Sequence, residues 1–168
     1  MNIFFLHPNP RKCARWHCDK HVVKMILESC QLLYTSHWAM SAPPPFIECA
    51  KNSGYKPTHA KHPCSLWLLE SLDNYRWLVS LAWELCREYT FRYGKRHACE
   101  EHLEWLSIVE PVGLVSHGFT MPRQAMPDHY KSKNSVVAYR TYYINDKLRI
   151  ATYKCRERPH WFRTPCEA

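Results

Sequence analysis

Four glycines among 168 residues is very little punctuation, and no apolar run approaches the roughly 18 residues that a membrane-spanning helix needs. The first scarcity favours long helices over a turn-rich sheet protein. The second leaves no spanning segment, and the apolar start at residues 3–6 is too short for the core of a signal peptide. An intracellular chain is expected, in the cytoplasm or, if viral, in the cytoplasm or nucleus of the host cell. Disorder is excluded by the 46% of hydrophobic residues. The nine cysteines are odd in number and dispersed, and a chain of this length buries a core without staples, so they read as reduced thiols rather than a disulfide framework.

Charge is present in excess of one sign. The formal net charge is +8, and residues 123–168 hold ten Lys and Arg against four Asp and Glu. Tyr139, Tyr142, Tyr143, Tyr153, Trp161 and Phe162 are interleaved there. That mixture neutralises phosphates and stacks on bases, although a solvated basic surface with aromatics anchoring a tail accounts for it equally.

The periodicity predicts a mainly α-helical, single-domain bundle over residues 1–168, built around two long helices, with a short extended N-terminus and a partly extended basic C-terminal tail. Asn9 and Pro10 form a cap and first-turn proline for a helix over residues 9–38, which the prolines at 43–45 end. A second helix is expected over 63–93, with Gly94 as its stop. Shorter helices are expected over 98–108 and 135–143, separated by a loop rich in Pro and Gly.

The first helix carries the most chemistry. At about 100° per residue, His17, His21, Lys24, Glu28, Gln31 and Thr35 fall on one narrow line. Most positions around that line are apolar or small, the inverse of an ordinary surface helix. Such a helix is buried nearly all round, and its ionisable stripe must form an internal network or line a pocket. In the pocket reading His17, His21, Lys24 and Glu28 are the catalytic candidates, an acid-base set with a lysine available as nucleophile. The rival chemistry is a metal site, with His17 and His21 as a bidentate pair and His59, His62 or Cys64 as a third ligand, but the intervening residues do not match the zincin pattern.

Further along, His59, Lys61 and His62 precede the second helix, where free backbone N–H groups favour an anion, or where His62 and Pro63 simply cap the helix. Asn74 among apolar neighbours suggests a core hydrogen bond. Arg123 and Gln124, bracketed by prolines, suit phosphates or base edges, and Arg140, Tyr143 and Lys147 recur at helical spacing. With Lys154, Arg156 and Arg158 in the tail, these complete the nucleic-acid-binding candidates.

The stretches MNIFFLHPNP, HCDKHVVKMILES, YKPTHAKHPCSLW, RYGKRH, QAMPDHY and AYRTYY resemble a family of small proteins from phages and large DNA viruses, a likeness that brings membership but no activity. LHP at residues 6–8, the charged first helix, HP at 62–63 and the terminal RPHWF are similar to pieces of the pyrimidine-dimer DNA glycosylases. That resemblance implies a small basic helical enzyme that uses its N-terminal amine as a Schiff-base nucleophile. It also implies a glutamate on the first long helix, for which Asp19 and Glu28 are the acids on offer. The expected function is a DNA base-excision N-glycosylase or glycosylase/lyase with DNA or another nucleic acid as partner, no membrane, no cofactor and no metal. The alternatives are a non-catalytic nucleotide or nucleic-acid binding module and a metal-dependent nuclease.

Overall fold

Asn9 opens the first helix as its sequence suggests: its side chain accepts a hydrogen bond from the Lys12 N–H at 3.0 Å, and Pro10 follows in the first turn. The computed structural model describes residues 1–40 and 54–162, and the prolines at 43–45 lie outside them. Among the described residues there are six α-helices, two short 3-10 turns and no strand. The helices are α1 (Pro10–Trp16), α2 (Asp19–Met40), α3 (Pro63–Leu68), α4 (Leu72–Tyr93), α5 (Glu100–Ile108) and α6 (Ser135–Lys147). The 3-10 turns are Asp128–Tyr130 and Leu148–Ile150.

The two long helices α2 and α4 pack on each other, with α1 laid against α4 and α5 against both. Their facing sides, including Val22, Ile26, Leu32, Leu33, Leu78, Leu81 and Leu85, are fully buried. The N-terminal segment Ile3, Phe4, Phe5 and Leu6 is buried with them, as are Tyr139 and Tyr143 of α6. Asn74 lies in the core, its amide donating to the Trp67 carbonyl at 2.9 Å and its carbonyl accepting from Thr120 N–H at 2.9 Å.

Both expected long helices are shorter than the periodicity predicts. The first breaks at His17, whose backbone is extended (φ −68°, ψ 134°). Two distant residues hold this break. Tyr143 Oη of α6 accepts from Cys18 N–H at 2.8 Å, and the buried Arg92 guanidinium of α4 donates to the carbonyls of His17 and Arg15 at 2.9 and 3.0 Å. Carbonyls that a helix end leaves open thereby find partners. The second breaks before Ser71, whose hydroxyl accepts from Asp73 N–H and caps α4. α4 then ends on Gly94 in the left-handed region (φ 70°), as expected. α5 starts two residues later than its pattern suggests, and α6 continues past Tyr143 to Lys147.

Of the seven described cysteines, those at positions 13, 18, 30, 64, 86 and 99 are free and buried, and Cys155 is free and exposed. No described helix is long and apolar enough to cross a membrane.

Candidate functional site

The residues that begin the chain run into the core and meet α2 at Glu28. Asn2 N–H donates to Glu28 Oε2 at 2.9 Å, the Met1 α-amine lies 3.9 Å from the same oxygen, and Lys24 Nζ lies 3.3 Å from Oε1. Glu28 is buried, whereas Lys24, one turn earlier, is exposed. A buried carboxylate is retained only where positive charge and hydrogen bonds compensate it, and here an ammonium, a lysine and a backbone N–H do so.

Asn2 holds this arrangement. Its carboxamide oxygen accepts from the N–H groups of Ile3 and Phe4 at 2.7 and 3.0 Å, and its amide donates to the Ala125 carbonyl at 2.8 Å. The turn that results puts Phe4 at φ 51°, unusual for a bulky residue and a local strain that the surrounding contacts must sustain. Phe4 stacks on His21 with ring centroids 4.3 Å apart. The α-amine is thus fixed by a polar residue inside an apolar run, and that isolated polarity is the only sequence signal that could have pointed to Asn2.

His62 closes another side. Its Nδ1 accepts from Cys64 N–H at 3.1 Å and caps α3. Burial pushes its pKa down, the N-terminal charge and His59 push the same way, and the Glu28 carboxylate opposes them. The ring is therefore within electrostatic reach of both amine and acid. The neighbouring His59 and Lys61 are exposed, with His59 at φ 52° and hydrogen-bonded to Thr58.

The polar line on α2 divides. Lys24 and Glu28 belong to the N-terminal site, and Thr35 bonds to Gln31 and Thr58. His17 precedes α2 and lies fully buried, donating from Nδ1 to the Cys13 carbonyl at 2.8 Å, while its Nε2 has no hydrogen-bond partner among the described residues. His21 Nδ1 lies 2.9 Å from Tyr143 Oη. The Tyr143 hydroxyl, which accepts from Cys18 N–H, keeps a proton with which it can meet a neutral His21 ring. Burial lowers the pKa of His17 and of His37 to about 4; for His21 burial and then the charges of His17, Lys147 and Lys24 lower it to about 3.

These three histidines titrate near 6.5 when unfolded. Between that value and their folded pKa, the unfolded chain binds protons that the native state refuses, so stability is full above about pH 6.5 and falls with acid. We expect a slope of about 1.4 kcal/mol per pH unit for each histidine still neutral in the native state. Urea unfolding at pH 7, 6 and 5 measures it, and a flat profile would count against neutral buried rings.

The cations expected to bind nucleic acid are distributed between surface and interior. Arg123 is exposed but paired with Glu70 at 2.6 Å, and the Gln124 side chain bonds both backbone groups of Ser132, closing the loop between them. With Lys131 and Lys133 these residues line an open depression of about 620 Å³. Arg140 is bound to the Leu6 carbonyl at 2.9 Å, and its guanidinium lies 4.8 and 5.2 Å from the Trp16 and Trp161 rings. Arg156 is held by both oxygens of Glu88 and covers Phe91 at 3.9 Å. Lys147 lies over Tyr142, Lys154 over Tyr93, and Arg158 5.9 Å from the Phe162 ring. Asp19, the other acid considered on the first helix, accepts from Arg92 at 3.0 Å and from Lys154 N–H at 2.9 Å. Among the described residues no group of three or more His, Cys, Asp and Glu side chains is arranged to hold a metal ion.

No curated protein and no solved structure matches the chain. One family model does, over residues 1–108, the stretch that carries the amine, Asn2, Glu28 and His62: its description is Pyrimidine dimer DNA glycosylase. The match covers more than half of the chain, which belongs to the pyrimidine dimer DNA glycosylase family.

Proposed function

We propose that the chain is a DNA glycosylase with an associated lyase step, acting on pyrimidine-dimer lesions, and that Glu28 and the α-amine beside it are its catalytic pair. The observation that carries this reading is the buried Glu28 carboxylate, bonded to Asn2 N–H and 3.9 Å from the Met1 amine. The free amine attacks C1′ of the damaged nucleotide, the C1′–N glycosidic bond breaks and the base leaves with the electron pair. Glu28 takes the proton that the amine must lose and stabilises the positive charge that develops on the sugar. Ring opening gives an imine between C1′ and the amine, which acidifies C2′ and permits strand cleavage by elimination.

Lys24 lies on the other carboxylate oxygen and is the competing nucleophile. His62, neutral and close by, serves as a proton carrier at the edge of the site. His17 and His21 support the floor by packing under Phe4. Exposed Lys24, Lys61, Arg123, Lys131 and Lys133 hold phosphates, while Arg140 and Arg156 tie the C-terminal segment to the body.

The test is reductive trapping. Borohydride added during reaction with dimer-containing duplex DNA should fix a covalent protein–DNA adduct, and peptide mapping should place it on the α-amine. Were Met1 removed, the new amine would be the Asn2 nitrogen already 2.9 Å from Glu28, so intact mass must accompany the map. An adduct on Lys24 or Lys20 would reassign the nucleophile. Tight binding with neither adduct nor base release would instead favour a non-catalytic capture module.

A further inference from the structure

The polar line on α2 does not end at Glu28. Gln31 follows one turn later, and residues three apart on a helix face the same way with Cβ atoms about 5–6 Å apart. Helical side chains lean toward the N-terminal end, so the Gln31 carboxamide leans over the turn that carries Glu28. Lys24 and Leu27 are exposed, Glu28 is buried and Gln31 is half-buried, which puts Gln31 at the edge between the carboxylate and solvent.

The polar groups on either side of Gln31 are committed. Lys24 and Asn2 N–H hold Glu28, and Thr35 Oγ1 donates to the Gln31 carbonyl at 2.7 Å and accepts from Thr58 N–H at 3.1 Å. The Gln31 side chain itself makes no hydrogen bond among the described residues. The 58–62 segment is bonded to α2 at Thr35, and its His62 feels the Glu28 charge, so it runs alongside the Gln31 turn. That segment is fixed in turn: Ser65 Oγ and His62 N–H both donate to the His59 carbonyl at 2.8 Å, and His62 caps α3. A free carboxamide thus stands on a long helix, beside a segment with little freedom left to lose on binding.

We propose that the Gln31 carboxamide reads the polar edge of the pyrimidine whose glycosidic bond is cut in the Met1–Glu28 site. The inference rests on the reading of that site as a DNA glycosylase. Dimer formation across the C5–C6 bonds of two pyrimidines leaves N3 and the group on C4 free. In thymine these are a donor and an acceptor, and in cytosine an acceptor and a donor. A carboxamide carries acceptor and donor side by side and meets either pattern by turning over, whereas a lysine only donates and a carboxylate only accepts. It is also uncharged, so it reads the base without disturbing the balance between Glu28 and the cations that face it.

The experiment compares base release from a duplex with a thymine dimer and from one whose dimer is methylated at N3 of the released thymine, which removes the donor and keeps the glycosidic bond. Each is given to the full wild-type chain and to Gln31→Met, an unbranched helix former without the amide. Methylation should slow the wild type about tenfold more than it slows Gln31→Met, the size expected for one lost base-edge contact. Whatever methylation does to the duplex itself is common to both proteins and divides out. Gln31→Leu should repeat the pattern of Gln31→Met, and urea unfolding should show both variants folded. An unslowed wild type, or equal slowing in wild type and variants, removes the Gln31 contact and leaves the glycosylase reading in place. If no dimer loses its base, equilibrium binding of the same duplexes decides. A preference for the unmethylated dimer that Gln31→Met abolishes would keep the contact and remove the glycosylase reading, and the absence of any preference would remove both.

Discussion

Glu28→Gln is expected to slow base release by about 10²- to 10⁴-fold, the range for loss of a positioned acid-base group, while the protein stays folded. Glutamine keeps the length and planarity of the side chain, so an oxygen still accepts from Asn2 N–H and the chain start keeps its place. What disappears is the negative charge that faces the α-amine and Lys24. Without it the amine proton has no acceptor, and the cationic sugar loses its counter-charge. Asp19→Asn separates this effect from a general loss of acidity on α2, because the Asp19 carboxylate already serves Arg92 and Lys154 N–H. The Asp19 variant should lose stability with little change in the chemical step. Single-turnover rates on dimer-containing DNA, paired with urea unfolding, provide both readouts. A Glu28→Gln protein within about threefold of the wild-type single-turnover rate would exclude Glu28 from the chemistry.

The contrast between these two acids shows where sequence reading stops. Both stand on one helix in sequence, and nothing in residue type or spacing tells which faces a pocket. Glu28 is singled out by Asn2, 26 residues away, and Asp19 is occupied by Arg92 and by the backbone of Lys154. Helix ends were legible wherever the partner is local. Asn9, His62 and Gly94 cap within a turn of themselves, and all three act as their residue types suggest. The breaks before α2 and α4 were missed for different reasons. Ser71 followed by Asp73 is a start signal hidden inside a strong apolar period, whereas His17 carries no local signal at all.

The stripe on the first helix was readable only in part for the same reason. A helical wheel drawn from residue 17 assumes continuous helix, but His17 stands before the break. The inverted pattern did mark a helix buried on most sides, and the solvent-facing strip of α2 is confined to Lys20, Val23, Lys24 and Leu27 in its first turns. The basic aromatic tail was ambiguous in composition and is divided in space. Arg140 and Arg156 meet tryptophans, a carboxylate and a carbonyl of the same chain, and the exposed cations lie instead at Arg123, Lys131 and Lys133, of which Arg123 pairs with Glu70 and Lys131 with Asp128. A lysine or arginine committed to a neighbour looks the same in sequence as one facing solvent.

Arg92 is expected to be the residue on which the frame of the site depends most. Its guanidinium is fully buried and meets the carboxylates of Glu88 and Asp19 at 3.1 and 3.0 Å and the carbonyls of Arg15 and His17 at 3.0 and 2.9 Å. One planar cation therefore joins α4 to both sides of the break between α1 and α2. Arg92→Met would keep most of the volume and remove every donor. Two carbonyls would lose their donors, and Glu88 and Asp19 would keep only Arg156 and the Lys154 N–H as hydrogen-bond partners; breaking such a buried network costs about 3–5 kcal/mol. Arg92→Lys should recover only part of this, since an ammonium carries the charge but cannot present the guanidinium fork to four acceptors. The deficit should shrink when Asp19→Asn is combined with Arg92→Met, because one stranded charge is then removed, and urea unfolding of the single and double variants measures that coupling. A loss of less than about 1 kcal/mol in Arg92→Met would mean that the break is held by Tyr143 and packing instead. A large loss ties the position of α2, and with it the height at which Glu28 meets the α-amine, to a residue more than 60 positions away in the chain.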